Sequence, residues 1–320
     1  SLAAMGLTNP AMNPWATALA GVLVAVFSAT QDTAVDAYRV ERLSASEQGT
    51  GAAWATFGYR IGMLVSGAGA LYLAEAVGWA QTYFAMAGVM SLGLLLTLAL
   101  KPVAGDEPSL AAHAPSVPQF FKEFVVAPFR DFMTRPHWLA VLAFVVLYKL
   151  GDAFMGVMFN PFLLDLGFSK AQIAEVVKLY GLAATLLGTF AGGWLVQHIG
   201  MFRTLLLCGV AHMLTNLLLV VQAHIGADVH FLAFSVSMEN VTGGMGTAAF
   251  IAYLSALCRV HYTATQYALL SSLAAFGRTW LSTPSGALAQ AVGWPLFFAI
   301  ASLMALPGLV LLVWLEHRQR

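Results

Sequence analysis

The sequence predicts an all-α, polytopic membrane protein made of two related helical bundles. Three observations carry this prediction: an apolar composition, apolar runs of membrane-spanning length, and an internal repeat. Hydrophobic residues make up 59% of the chain and charged residues only 9%, whereas soluble domains carry about 25% charged residues. Because a soluble core cannot absorb this much apolar surface, the chain is expected to lie in a lipid bilayer.

Apolar runs that predict membrane spans are separated by short polar or turn-forming segments. Each run is long enough to cross a hydrocarbon layer of about 30 Å. They cover residues 15–37, 50–74, 80–100, 137–160, 172–196, 203–223, 230–257, 264–289 and 294–315.

Lysine and arginine are concentrated at alternate ends of these runs. One set of ends and loops contains Arg39, Arg42, Lys101, Lys122, Arg130, Arg135, Arg203, Arg259, Arg318 and Arg320. The alternate loops 75–79, 224–229 and 290–293 contain neither residue, although Lys170 and Lys178 lie on their side. The positive-inside rule therefore predicts that the first set, and with it the C-terminus, is cytoplasmic.

An internal repeat relates the two halves of the chain. Gln266 follows Gln48 by 218 residues, and Arg278 follows Arg60 by the same offset. A Val-Gly-Trp triplet that begins at Val77 recurs at Val292. Two parallel halves of this kind are typical of the two-bundle fold of the major facilitator superfamily.

The repeat also predicts the domain organisation. Residues 1–100 are expected to be the remainder of an N-terminal bundle (spans 3–6), and residues 136–320 a C-terminal six-helix bundle (spans 7–12). Residues 101–135 are expected to be a cytoplasmic linker, in which residues 119–126 form either a short interfacial helix or a plain tether. Shifting the second half back by 218 residues predicts that about 80 residues, holding the first spans, are missing before Ser1.

Seven charged side chains fall inside the apolar runs: Asp32, Asp36, Arg60, Lys149, Asp152, Glu239 and Arg278. Charge within a membrane span is expensive and indicates function by default. The three cations lie about 15–22 Å from the cytoplasmic helix ends, near the midplane where such transporters bind substrate. Arg60, Lys149 and Arg278 are therefore candidate contacts for a ligand with several carboxylates. The alternative is that these charges pair with one another to hold or gate the bundles.

Four uncharged side chains are further candidate substrate contacts. Tyr59 and Tyr148 are aromatic neighbours of the cations and are suited to stack on sugar rings. Gln31 and Asn240 are polar residues within apolar runs. For Asn240, a hydrogen bond to a neighbouring helix is the competing interpretation.

Four carboxylates are candidate proton carriers, because low dielectric favours the neutral form of an acid. They are Asp32, Asp36, Asp152 and Glu239. Asp32 is the leading candidate, and as i and i+4 residues Asp32 and Asp36 share one helical face. Asp36 has a second interpretation, pairing with Arg39 or Arg42 in a cytoplasmic gate. His212 is expected to be a packed histidine rather than a proton relay.

The sequence gives little support to other classes of function. The formal net charge is +0, which argues against a nucleic-acid partner, and Cys208 and Cys258 have no metal or disulfide spacing. No nucleotide loop, metal cluster or nucleophile elbow occurs in the sequence. We therefore predict no cofactor, no metal and no enzymatic activity, with energy supplied by an ion gradient. A polytopic membrane enzyme with Asp32 and Asp36 as its catalytic pair remains an alternative, against which the repeat argues.

Six segments resemble the AmpG-type muropeptide permeases of the major facilitator superfamily. They are residues 31–41, 59–67, 126–132, 147–154, 239–247 and 264–271. The resemblance implies proton-driven import of N-acetylglucosamine-anhydro-N-acetylmuramyl peptides across the bacterial inner membrane, serving cell-wall recycling and, indirectly, β-lactamase induction. Residues 193–200 depart from the superfamily pattern, because the charges of its Gly-x-x-x-Asp-Arg-x-Gly-Arg motif are absent. A relative that carries another acidic conjugate, such as an acyl-coenzyme A, is the alternative.

Overall fold

The structure is a computed structural model that describes residues 1–99, 116, 118–119, 122–259 and 262–319. Every regular element in these residues is a helix, so the all-α prediction is confirmed. Residues 101–115, 117, 120 and 121 of the predicted linker lie outside the described residues. The chain divides into two compact units, one with Ser1–Arg42 and Ala55–Ser116 and the other with Leu43–Trp54 and Val117–Arg320.

The first unit consists of long apolar helices. Its elements are α1 (Leu2–Gly6), α2 (Pro14–Arg42), the later part of α3 (Gln48–Leu64), a π-helical turn (Val65–Gly69), α4 (Ala70–Val77) and α5 (Trp79–Ala99). Helix α1 packs closely on α5, where a Cβ atom on Gly6 would lie 2.9 Å from the carbonyl oxygen of Ala80. This contact therefore requires glycine.

A run of small residues in this unit makes no close helix contact at its first two positions within the described residues. Gly62, Ser66 and Ala70 follow one another at intervals of four residues, a spacing of small residues that is typical of helix-packing faces. A Cβ atom on Gly62 would meet nothing within 4 Å in the described part of the chain, and Ser66 is exposed. The hydroxyl of Ser66 instead donates to the carbonyl oxygen of Gly62, 2.8 Å away on its own helix.

The second unit contains the first turns of α3 and all later helices. These are a π-helical turn (Lys122–Val126), α6 (Ala127–Met133), α7 (Trp138–Leu147), α8 (Leu150–Asp165), α9 (Lys170–Glu175), a second π-helical turn (Val176–Tyr180), α10 (Gly181–Ile199), α11 (Met201–Asn216), α12 (Leu218–Ile225), α13 (Val229–Ala256), α14 (Thr263–Leu281), α15 (Ser285–Val292), α16 (Trp294–Leu303) and α17 (Leu306–Gln319).

The apolar core of this unit lies among α8, α12, α13 and α16. Phe162, Leu232, Phe297 and Phe298 are fully buried there, and the rings of Phe162 and Phe298 meet edge to face with centroids 4.6 Å apart. Lipid tails are as apolar as these side chains, so close packing rather than expulsion from water stabilises the core.

Seven helices or paired helices among the described residues are long and apolar enough to cross a membrane. They are Pro14–Arg42, Gln48–Val77, Trp79–Ala99, Trp138–Asp165, Gly181–Ile199, Met201–Ile225 and Trp294–Arg318. The predicted runs at 230–257 and 264–289 also form helices, but they fall outside this set. Their helices carry Glu239, Asn240 and Arg278 together with many small polar residues, which lower their mean hydropathy.

Helices α10 and α13 approach each other backbone to backbone. A Cβ atom on Gly188 would lie 2.0 Å from the carbonyl oxygen of Val241, and one on Gly192 would lie 2.4 Å from that of Met245. On the opposite helix, a Cβ atom on Gly244 would lie 2.5 Å from the carbonyl oxygen of Thr185. Gly188 and Gly192 therefore permit this close packing, and it brings α13 to its position beside the candidate site.

Candidate functional site

The site begins at an interruption between α7 and α8. The helix breaks at Tyr148 and Lys149, and the membrane-crossing pair α16–α17 is also interrupted, at Met304 and Ala305. Helix α17 lies so close that a Cβ atom on Gly308 would be 2.9 Å from the Cα atom of Tyr148. This contact holds the interrupted segment in place and sets the position of Lys149.

Lys149, Asp152 and His212 form one charged cluster. The Nζ atom of Lys149 lies 2.9 Å from Oδ2 of Asp152, and Nε2 of His212 lies 2.8 Å from the other carboxylate oxygen, Oδ1. Asp152 stands in the first turn of α8, where the helix dipole stabilises a negative charge. The Lys149 side chain is 19% exposed. Lys149 and Asp152 are therefore paired with each other, as one of the two interpretations of the charges within the spans expects.

Hydroxyl groups extend this cluster on both sides. Nδ1 of His212 lies 2.9 Å from the Oγ1 atom of Thr242, which in turn is 2.9 Å from the Oγ1 atom of Thr215. Lys149 reaches Thr247, with 3.4 Å between Nζ and Oγ1. His212 is thus a buried member of a polar network, which the sequence interpretation missed. A signal was available, since any titratable residue inside a membrane span indicates function.

A small cavity lies against this network. Lys149, Asp152, His212 and Thr242 line it on its polar side, and Leu309 lies among its apolar neighbours. Its free volume is about 10 Å³, which is roughly the space of one water molecule. The space beside the network is therefore large enough for one water molecule within reach of these polar side chains.

Glu239 and Asn240 lie on α13, within one turn of Thr242, which lines the cavity. The Nδ2 group of Asn240 donates to Oε2 of Glu239 at 3.0 Å, and Thr185 donates to the Asn240 Oδ1 atom at 2.9 Å. The interhelical hydrogen bond considered for Asn240 is therefore present. Helix α13 continues without interruption through the glycines at 243–246, which serve close helix packing rather than a helix break.

Tyr148 and Arg278 are the remaining candidates in this unit. Tyr148 is buried, its ring stacks on Phe250 with centroids 5.5 Å apart, and its hydroxyl donates to the carbonyl oxygen of Leu205. Arg278 is exposed on α14. In the described part of the chain, no ion pair or hydrogen bond joins Arg278 to the Lys149 cluster.

Five predicted residues lie in the first unit. Gln31 and Asp32 are exposed on α2, and Tyr59 is exposed on α3. Asp36 pairs with Arg39, with 3.4 Å between Oδ1 and Nη2, which is the gate-like pairing considered for it. Arg60 is half-buried, and its Nε group makes no hydrogen bond within the described residues.

A second polar cluster joins two of the segments that resemble the AmpG-type permeases, residues 126–132 and 264–271. Gln266, which is 1% exposed, donates through Nε2 to Oδ2 of Asp131 at 3.0 Å and accepts from the backbone N–H of Arg259 at 2.9 Å. Arg259 pairs with Asp131, and Arg135 donates to the carbonyl oxygen of Leu257. Burial, together with the nearby Arg259 charge, lowers the pKa of Arg135, while Asp131 opposes that shift. The carboxylate therefore stabilises two adjacent guanidinium groups and attaches α6 to the start of α14.

The sequence model of the Major Facilitator Superfamily matches residues 1–282. The chain belongs to the major facilitator superfamily. Among curated relatives of this superfamily protein, the "Putative transporter AmpG 4" of Rickettsia felis is 35% identical over 321 residues, covering 99% of this chain and 76% of the relative. The protein of the same name from Rickettsia conorii is 36% identical over the same shares of both chains.

A third relative carries a more specific name. The "Anhydromuropeptide permease" of Escherichia coli K12 is 40% identical over 320 residues, which cover 98% of this chain and 62% of that protein. The chain thus spans less than two thirds of the Escherichia coli relative. These comparisons confirm the AmpG-type resemblance, and together with the apolar helices they establish a multi-pass membrane transporter of the major facilitator superfamily.

Proposed function

We propose that this transporter imports anhydromuropeptides from the periplasm to the cytoplasm together with protons. The observation that carries the proposal is the 40% identity, over 98% of this chain, to a relative named anhydromuropeptide permease. The proposal places the protein in the bacterial inner membrane with a cytoplasmic C-terminus, as the distribution of lysine and arginine predicts. The transporter then serves cell-wall recycling, needs no cofactor and acts on a small sugar-peptide.

The chemistry of the candidate residues supports this substrate. A muropeptide carries carboxylates, and Lys149, Arg60 and Arg278 are cations within apolar segments. Among the described residues neither Arg60 nor Arg278 forms an ion pair, so both guanidinium groups retain their capacity to bind an acid. Guanidinium groups bind carboxylates through two parallel hydrogen bonds. Tyr59, which is 67% exposed, is suited to contact a sugar ring.

Ligand-dependent thermal unfolding of the purified protein tests the substrate class. We expect N-acetylglucosamine-anhydro-N-acetylmuramyl tripeptide to raise the Tm by several degrees at about 100 times its Kd, which corresponds to about 2.7 kcal/mol of stabilisation. The controls are the same disaccharide without its peptide and an acyl-coenzyme A. A larger shift with the acyl-coenzyme A would replace the proposed substrate by another acidic conjugate.

Uptake by Arg60→Ala and Arg278→Ala tests the two arginines. We expect uptake of labelled anhydromuropeptide to fall at least about tenfold in each variant, because each removes a charged contact worth about 1.5–3 kcal/mol. Arg203→Gln is the matched control, since Arg203 is exposed at the start of α11, and we expect it to transport normally. Wild-type uptake in both alanine variants would rule out the arginines as substrate contacts.

A further inference from the structure

We infer that His212 carries the co-transported proton and that the Thr242 hydroxyl adapts the network to both protonation states of the imidazole. This inference rests on the proposed proton-coupled import and assigns its proton to a residue outside the four candidate carboxylates. It is based on the geometry of four side chains that lie on α8, α11 and α13.

The carboxylate determines how a neutral His212 must be oriented. Asp152, when ionised, can only accept hydrogen bonds, so Nε2 of His212, 2.8 Å from Oδ1, must carry a proton. In the neutral imidazole the other nitrogen, Nδ1, is then an acceptor. The Thr242 hydroxyl, 2.9 Å away, donates to it.

Protonation of His212 reverses this second hydrogen bond. Nδ1 then carries a hydrogen and donates to the Thr242 oxygen. The Thr242 hydrogen has two other acceptors within reach, the carbonyl oxygens of Met238 at 3.0 Å and Glu239 at 3.1 Å. Thr215 keeps an acceptor in either state, because its Oγ1 atom lies 3.0 Å from the His212 carbonyl oxygen and 2.9 Å from the Thr242 hydroxyl. Rotation of the Thr242 hydroxyl therefore leaves the donors of His212, Thr215 and Thr242 with an acceptor in both protonation states of the imidazole. This matters because a buried donor without a partner is costly.

Charge balance links this proton to the substrate. With a neutral imidazole, Lys149 and Asp152 form a balanced ion pair. A substrate carboxylate that binds Lys149 adds a negative charge, which a proton taken from water onto Nδ1 of His212 then offsets. Substrate and proton therefore favour each other's binding, and this coupling is reciprocal by linkage.

The surroundings of the imidazole contain few other titratable groups. Asp152, Lys149 and Tyr148 face it from the α7–α8 segment, Cys208 from its own helix and Glu239 from α13. Helix α17 contributes the apolar Leu309. Glu239 is the only other carboxylate in this set, and it is held by Asn240. His212 therefore joins Asp152 directly to the Thr242 hydroxyl, whereas Lys149 joins the same carboxylate to the Thr247 hydroxyl.

Transport by His212→Gln in proteoliposomes tests the inference, because glutamine keeps polar contacts but cannot take up a proton. We expect counterflow of labelled anhydromuropeptide, which needs no gradient, to stay within about threefold of wild type. Accumulation driven by a proton gradient should fall at least about tenfold and lose its dependence on pH. His224→Gln is the matched control, since exposed His224 contacts the Val220 carbonyl oxygen on its own helix and no other hydrogen-bond partner among the described residues. Wild-type accumulation by His212→Gln would overturn the inference.

A second pair of variants tests the hydroxyl independently. Thr242→Val removes the rotating hydroxyl at nearly constant volume and should reduce accumulation, whereas Thr242→Ser should retain it. Equal accumulation by both variants would contradict the role of the hydroxyl, and it remains informative if His212→Gln does not fold.

The experiments distinguish an incorrect substrate proposal from an incorrect proton-site inference. Absence of wild-type counterflow would refute the proposed substrate. The His212 inference is then decided by nitrogen NMR of labelled histidine, using the His212→Gln difference to assign the signal. We expect Nε2 alone to be protonated at high pH and both nitrogens at low pH, whereas a single state throughout would overturn the inference.

Discussion

Lys149→Gln is expected to abolish uptake of anhydromuropeptide, with a loss of about 30-fold or more. Removing one partner of a buried, hydrogen-bonded charge pair costs about 2–5 kcal/mol. The Lys149–Asp152 pair is partly buried, so the low end applies, and 2 kcal/mol corresponds to about 30-fold. Among the described residues the variant leaves Asp152 with His212 as its remaining ion-pair partner, and it removes the ammonium group that the substrate carboxylate would contact. Initial uptake rates in proteoliposomes measure the effect.

A double variant separates substrate binding from ion pairing at this position. Lys149→Gln/Asp152→Asn removes both charges, so we expect it to recover much of the thermal stability lost in Lys149→Gln, while uptake stays low. Lys170→Gln is the matched lysine control, because Lys170 is exposed at the start of α9. Uptake at the wild-type rate by the double variant would mean that Lys149 serves only to pair with Asp152.

Gly188→Ala is expected to give the largest loss of stability. The new methyl group would lie 2.0 Å from the carbonyl oxygen of Val241, so α10 and α13 must separate by more than 1 Å. Overpacking of this kind costs about 1–3 kcal/mol and sometimes more. Helix α13 carries Thr242 and Glu239, so the same shift should also disturb the polar network.

Gly156→Ala is the control for this helix contact. Gly156 also lies in a helix, but a Cβ atom there would meet nothing within 4 Å among the described residues. Alanine is favoured over glycine in a helix interior by about 0.5–1 kcal/mol, so we expect an unchanged or higher Tm. Thermal unfolding of the two variants in one detergent decides the matter, and equal Tm values would contradict the packing argument.

The two polar clusters of the second unit differ in the groups they contain and in the helices they join. The cluster around Lys149 contains titratable groups and a cavity. The cluster around Gln266 holds α6 against α14 through Asp131 and Arg259. The repeat supports this distinction, because the equivalent Gln48 is also buried and donates to a backbone carbonyl, that of Leu43, 3.0 Å away.

The pairing of Lys149 with Asp152 was within reach of sequence reasoning, whereas the contact between His212 and Asp152 was not. Lys149 and Asp152 are three residues apart, and such residues meet through local geometry. His212 lies about 60 residues further along the chain, and its contact with Asp152 depends on how α8 and α11 pack. Nothing in the local pattern around His212 predicts which carboxylate it meets.

Composition and the lengths of the apolar runs by themselves determined that this protein is a helical, multi-pass membrane protein, because the bilayer admits few other structures for so apolar a chain. The recurring Gln and Arg positions and the segments that resemble the AmpG-type permeases determined its family. Only the tertiary structure decided which helices approach closely, which charges are paired and which hydroxyl lies beside His212. The physical reason is the distance along the sequence over which each effect acts. Partition into the membrane depends on each segment alone, whereas hydrogen bonds of about 3 Å depend on helix contacts between residues far apart in the sequence.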